Sequence, residues 1–140
     1  MLTTERLILR PYVESDLDDL LHLWNDPLVQ PLVNPETVTL LGPKFKETLR
    51  AQMERATFGA IIVLKETGEF MGHGVVTVME PKNRDAVFGI CLRPKFWNSG
   101  YGTEATNFIT DYSFKWFCLN RLSLTVFANN ARAIAVYEKM

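Results

Sequence analysis

Cysteine is nearly absent, with Cys91 and Cys118 the two in 140 residues. Two cysteines build no disulfide framework, and a reducing cytoplasm is the default setting for such a chain. Histidine is as scarce, with only His22 and His73. No His, Cys or carboxylate cluster has metal-ligand spacing, so no metal is expected. Lysine and arginine total 15 against 16 acids. With no basic excess, the chain carries no electrostatic footprint for nucleic acid. No apolar run approaches the roughly 18 residues of a membrane span, so no membrane partner is expected. The start, Met1-Leu2-Thr3-Thr4-Glu5-Arg6, mixes charges and does not read as a signal peptide. Internal repeats and low-complexity tracts are lacking. What remains is the composition of an ordinary globular protein, long enough for a single domain over residues 1–140 with its own core.

The apolar pattern then sets an element order. Leu7-Ile8-Leu9-Arg10-Pro11 reads as a strand ended by proline. Ser15 is the expected N-cap of a helix whose stripe is Leu17, Leu20, Leu21 and Trp24. Residues 27–43 carry four prolines and read as a loop. A second helix over Lys44 to Ala56 has Phe45, Leu49 and Met53 in register. Gly59 to Leu64 reads as a buried strand, Glu66-Thr67-Gly68-Glu69 as a hairpin turn, and Phe70 to Met79 as the returning strand. Gly72 and Gly74 mark bulges or close approaches there. Ala86 to Leu92 returns again. A helix from Ala105 to Phe117 presents Phe108, Ile109, Tyr112, Trp116 and Phe117 on one face, and Asn120 suits its C-terminus. A strand over Leu122 to Phe127 and a last helix over Ala131 to Met140 complete the order β-α-α-β-β-β-α-β-α. The strand–helix–strand unit makes Leu122–Phe127 parallel to Ala86–Leu92.

The most informative stretch is Trp97-Asn98-Ser99-Gly100-Tyr101-Gly102-Thr103-Glu104-Ala105. A glycine turn at a helix start offers unpaired backbone N–H groups and the positive end of the helix dipole, a site for phosphate. Gly100 to Ala105 satisfies the dinucleotide fingerprint G-x-G-x-x-G/A. That fingerprint needs a strand ending at the first glycine and an acid some 20 residues on. Here Arg93 to Ser99 intervene, and the later strand leads into Ala128-Asn129. No Gly-Lys-Ser/Thr follows a glycine loop, so the P-loop fails too. A plain strand-to-helix turn, with glycine serving only backbone conformation, is the reading without a ligand.

Three segments, in this order and spacing, resemble the GNAT family of N-acetyltransferases, in particular the branch that acetylates ribosomal-protein N-termini and related amines. They are Thr4-Glu5-Arg6-Leu7-Ile8-Leu9-Arg10-Pro11, Phe96 to Ala105, and Asn130-Ala131-Arg132-Ala133-Ile134-Ala135-Val136-Tyr137-Glu138-Lys139. The resemblance implies an α/β (α+β) acyl-CoA N-acyltransferase fold. Its sheet is mixed and mostly antiparallel with a central parallel pair, and helices cover both faces. It implies acetyl-CoA as co-substrate and a primary amine, a protein N-terminus or a small molecule, as acceptor. The pyrophosphate would lie on the amides of Asn98, Ser99, Gly100, Tyr101, Gly102 and Thr103, with Trp97 counted among the cofactor-binding residues and packed under the turn. Backbone groups of Ile90, Cys91 and Leu92 would pair with the pantetheine, Asn130 would contact it or orient the last helix, and Ala133 would be a further cofactor-binding residue. An amide of Leu92 or Cys91 would stabilise the oxyanion. Tyr137 would protonate the leaving thiolate, since a phenol near pKa ~10 and a thiol near ~8.5 are reasonably matched.

Two departures accompany the resemblance. Val87 stands where many relatives carry a glutamate base. Asp85, His73 and Glu80 remain as bases acting through water, or a neutral amine needs none. The family's closing strands are expected to be missing after Met140, which would leave the Leu122–Phe127 edge for a second copy to cover as a homodimer. The competing reading is a non-catalytic acyl-CoA-binding or interaction domain. Cys91 as an acyl-carrying nucleophile is disfavoured, since no histidine sits at a motif position beside it. The three tryptophans read as packing.

Overall fold

The computed structural model describes residues 2–27, 42–80, 85–116 and 121–124. Expectations for most of the 27–43 loop, for Cys118, for the strand past Leu124 and for Asn130, Ala133 and Tyr137 lie outside these residues.

Alternation in the strands dictates a sheet apolar on both faces. Six strands pair in sequence order: β1 (Leu2–Thr3), β2 (Leu7–Pro11), β3 (Phe58–Leu64), β4 (Phe70–Glu80), β5 (Asp85–Leu92) and β6 (Arg121–Leu124). All neighbours are antiparallel except β5 and β6, which run parallel with Ala86 beside Leu122. In β3, Ala60 and Ile62 enter one buried cluster while Ile61 and Val63 enter the other. The second cluster is closed by α1 (Leu17–Trp24) through Leu17 and Leu20, and by α2 (Phe45–Arg55) through Leu49 and Met53. The first is closed by α3 (Tyr101–Trp116), whose Ala105 and Ile109 pack with Leu7, Leu9, Val76 and Phe88. Helices therefore cover both faces, as the resemblance implies.

Several local expectations change. The two-residue strand β1, too short for any periodicity, pairs Leu2 with Leu9. Ser15 is not the cap. A 3-10 turn over Glu14–Asp16 precedes α1, and the Asp16 carboxylate accepts the Val13 amide at 2.8 Å. Arg10 donates to the same carboxylate at 2.9 and 2.7 Å. Ser15 lies inside that turn and so does not flank a helix: Val13 caps the turn, and Asp16 is the residue before α1. Burial alone would raise the Asp16 carboxyl, but Arg10 and the Val13 amide hold it below the usual range. Helix α3 begins at Tyr101, four residues before the expected Ala105, because Glu104 already donates its amide to the Gly100 carbonyl at 3.0 Å. Its buried residues are Ala105, Thr106, Ile109 and Ser113, with Phe108 packed beside them, while Trp116 is 62% exposed. Its ring tilts against Tyr112 at 6.2 Å.

The glycines of β4 act as expected. Register slips by one residue opposite Ile62 and Val63, where Gly72 and Phe70 are paired and Met71 is extra. A Cβ on Gly72 would sit 2.0 Å from the Cys91 carbonyl oxygen, inside backbone that cannot yield cheaply. Replacing Gly72 by alanine should therefore destabilise the fold by on the order of 3 kcal/mol or more, as in severe overpacking. Urea unfolding of G72A measures this, and a midpoint equal to wild type would refute the close approach.

Candidate functional site

Strand β5 leads into the site. The Arg93 amide donates to the Met71 carbonyl at 2.8 Å, so residue 93 faces β4. Strand alternation then turns the backbone groups of Cys91 toward β4 and those of Ile90 and Leu92 away from it. The Leu92 carbonyl accepts the Trp97 indole N–H at 2.9 Å on that outer side. The described β5–β6 ladder runs from Asp85 beside Arg121 to Phe88 beside Leu124, ahead of Ile90 and Leu92.

A 3-10 turn over Pro94–Phe96 and two left-handed residues, Asn98 (φ 63°) and Gly100 (φ 83°), join β5 to α3. Asn tolerates that region better than most residues and Gly has no Cβ to clash. Backbone that alternates into the left-handed region is how chains gather amides around anions. Among the described residues, no backbone acceptor takes the amides of Asn98, Ser99, Gly100, Tyr101, Gly102 or Thr103, whereas those of Trp97 and Glu104 are bound. The last three open α3, where helical geometry leaves N–H groups without partners. Asn98, Ser99 and Gly100 are exposed. Trp97 is a strut under this turn, packed on the core and tied to Leu92.

The turn is braced from the segment that joins β1 to β2. Arg6 donates through its amide (2.9 Å) and Nε (2.7 Å) to Glu104, and through Nη1 to the Ser99 carbonyl at 3.0 Å. Thr4 Oγ1 donates to the same carboxylate. The Arg6 guanidinium lies 4.2 Å from the Tyr101 ring centre. Burial would push the Glu104 carboxyl up, but Thr4 and Arg6 outweigh it and hold it below the ordinary range. Sequence reasoning missed this pair. Arg6 stood only inside a strand motif, and its partner is 98 residues away. Arg6 and Tyr101 also line a cavity of about 250 Å³ with Glu5, Leu64, Lys65 and Glu66, whose charges balance.

The face of the sheet under α1 holds the other candidates. His73 pairs with Ile61 on one side and Cys91 on the other. Its Nε2 accepts the Trp24 indole N–H at 3.2 Å, so its hydrogen resides on Nδ1, which has no partner among the described residues. Burial pushes the imidazole down to about 4. His73 is therefore neutral at pH 7 with its lone pair occupied, unsuited to the role of base. Burial, with Asp26 adding to it, pushes the Cys91 thiol up to about 12, so Cys91 carries no thiolate for nucleophilic attack. Val87 stands opposite Thr77 in the middle of β5 and supplies no acid.

With the geometry in hand, comparison with known proteins is decisive. Residues 6–140 match the acetyltransferase (GNAT) domain family, and the chain belongs to it. It is an acetyl-CoA-dependent acyltransferase of the N-acetyltransferase class. An uncharacterized N-acetyltransferase p20 of Bacillus licheniformis is 29% identical over 146 residues, spanning 99% of this chain and 80% of its own. A GNAT-family acetyltransferase structure from Bacillus anthracis superposes with a TM-score of 0.83 at 24% identity, covering 98% of this chain and 80% of that one. A spermidine N-acetyltransferase from Vibrio cholerae, solved with CoA and spermine, superposes at 0.81 with 21% identity, covering 97% and 80%. Among the described residues, no helix is long and apolar enough to cross a membrane.

The buried imidazole makes stability depend on pH in a stated direction. Its pKa is about 6.5 unfolded and about 4 folded, so between those values the unfolded chain binds the extra proton. Stability from this group is fully present above pH 6.5 and is lost as pH falls toward 4. Between pH 7 and 4.5, wild type should lose on the order of 2 kcal/mol more than His73→Gln. Urea titrations at both pH values measure the difference, and equal losses would contradict a neutral buried His73.

Proposed function

We propose that the chain transfers the acetyl group of acetyl-CoA to a primary amine by direct attack within a ternary complex. The observation that carries this reading is the run of amides from Asn98 to Thr103, without a backbone acceptor among the described residues, at the head of α3 and one 3-10 turn after a strand with outward-facing backbone. The pyrophosphate of CoA suits those amides and the helix dipole. The pantetheine would run along β5, pairing with the backbone of Ile90; Trp97 already occupies the Leu92 carbonyl, and the Leu92 amide would face the thioester carbonyl. Cys91, its backbone toward β4, would contribute surface only. Leu92 is then the better choice of the two for the oxyanion donor. Asn130, Ala133 and the acid Tyr137 enter this scheme through their match to the family's last helix.

No base is assigned. With His73 occupied and Val87 apolar, an acceptor with a low-pKa amine suits the described residues best. At pH 7 an α-amino group of pKa near 8 is about one-tenth neutral, whereas an alkylamine near 10.4 is neutral to a few parts in ten thousand. We therefore favour a small molecule or peptide N-terminus bearing an α-amino group. A cytoplasmic setting goes with this reading, supported by Cys91 standing as a free thiol. So does a homodimer along β6, supported by its place at the end of the described strand order.

CoA release from acetyl-CoA, measured over amino acids, peptides and polyamines, tests the reading. Turnover should rank α-amines above polyamines at pH 7, with the gap closing as pH rises. CoA binding by calorimetry with no turnover for any amine would favour the non-catalytic alternative. Tyr137→Phe should lower kcat by about 10²-fold, the usual scale of general acid catalysis, while CoA still binds. An unchanged kcat would remove Tyr137 from the acid role.

A further inference from the structure

We propose that Arg6 is a positioning residue for the pyrophosphate turn, acting through Glu104 and the Ser99 carbonyl. The inference rests on the acetyl-CoA reading above.

Glu104 poses the problem that Arg6 solves. It lies in the first turn of α3, where a carboxylate competes with an incoming anion for the positive end of the dipole. Both of its oxygens are committed elsewhere. Oε1 receives Arg6 Nε, and Oε2 receives the Arg6 amide and the Thr4 hydroxyl. Its charge is thereby paired on the side of the helix that faces the β1–β2 segment.

The same guanidinium sets the direction of an amide. A trans peptide points its C=O and N–H in opposite directions. Because Arg6 Nη1 holds the Ser99 carbonyl, the Gly100 N–H of that peptide is turned away from Arg6. Arg6 Nη2 stands 3.3 Å from where a Gly100 Cβ would be, so the guanidinium seats against a glycine that is also left-handed. Tyr101, the next residue, lies under the guanidinium as a ring. One cation thus neutralises Glu104, orients the Gly100 amide and fixes the first helical residue. Lysine can reproduce the ion pair but not this fork of contacts.

The test uses two acetyl donors. Acetyl-CoA carries the pyrophosphate, and S-acetylpantetheine has the same thioester without it. Arg6→Gln and Arg6→Lys are compared with wild type by CoA calorimetry, thermal unfolding and kcat/KM for each donor. Arg6→Gln should weaken CoA binding by at least about tenfold, the scale of one lost charged hydrogen bond. Arg6→Lys keeps a charge for Glu104 and guards against loss of folding. It should still weaken CoA severalfold, with kcat/KM for S-acetylpantetheine within about twofold of wild type. A purely structural role predicts equal losses for both donors, and that result overturns the proposal. So does CoA binding by a folded Arg6→Lys protein equal to wild type. Wild-type protein that fails to bind CoA overturns the acetyl-CoA reading and this inference together.

Discussion

The sheet is a middle layer buried on both sides, and that constraint places His73, Cys91 and Leu92. Ala60 and Ile62 must face α3 while Ile61 and Val63 face α1 and α2. A strand that alternates in this way cannot slip by one residue without exchanging its two faces. Pairing then fixes the parity of β4 and β5. His73 lies beside Ile61 and Cys91 beside His73, so both share the α1 side. Leu92 joins the cluster on the α3 side. Two chemical environments therefore arise back to back on one strand, from nothing more than alternation.

The head of α3 depends on the same layering and on one added tie. Packing of Ala105 and Ile109 fixes the helix against the sheet but leaves its first turn unspecified. The pair of Arg6 with Glu104 extends the fixed part back to Gly100. Trp97 does the equivalent from the strand side, joining the turn to Leu92. Between these two anchors lie the residues whose amides have no backbone acceptor among the described residues. A surface ion pair alone contributes little to stability. Here Glu104 is largely buried, its side chain only 18% exposed, and collects three donors, which makes the pair a geometric device.

What could be read from the sequence divides along the same line. Period-2 and period-3.6 patterns exposed β2, β3, α1 and α2 because each buries a face against something. The hairpin at Gly68 was legible because its φ of +76° asks for glycine. Ser15 has cap propensity, but the chain already turns at Glu14, a turn closed by the Asp16 carboxylate on the Val13 amide, and no local signal marks it. Trp116 looked apolar and in register, yet register does not say where the sheet ends. The turn itself was legible, since glycines before an amphipathic run are a local signal. Its brace was not, because residues 6 and 104 meet only after the four strands between them are in order. The occupied lone pair of His73 was hidden for the same reason, since Trp24 reaches it from another element.

Burial on the α1 face also bears on the unassigned base. Burial lowers His73 to about 4 and raises Cys91 to about 12, in each case disfavouring the charged form. An ammonium group held on that face meets the same penalty, and desolvation lowers an amine's pKa just as it lowers that of an imidazole. Each unit by which it falls raises the neutral, nucleophilic fraction about tenfold at pH 7. An amine starting near 8 becomes largely neutral after a shift of about one to two units, whereas one starting near 10.4 needs more than three. A site that removes water from its acceptor can thus do part of a base's work without carrying one. The same burial disfavours the thiolate formed when the carbon–sulfur bond breaks. That asymmetry places the demand for a proton donor on the leaving side, opposite in sign to a missing base.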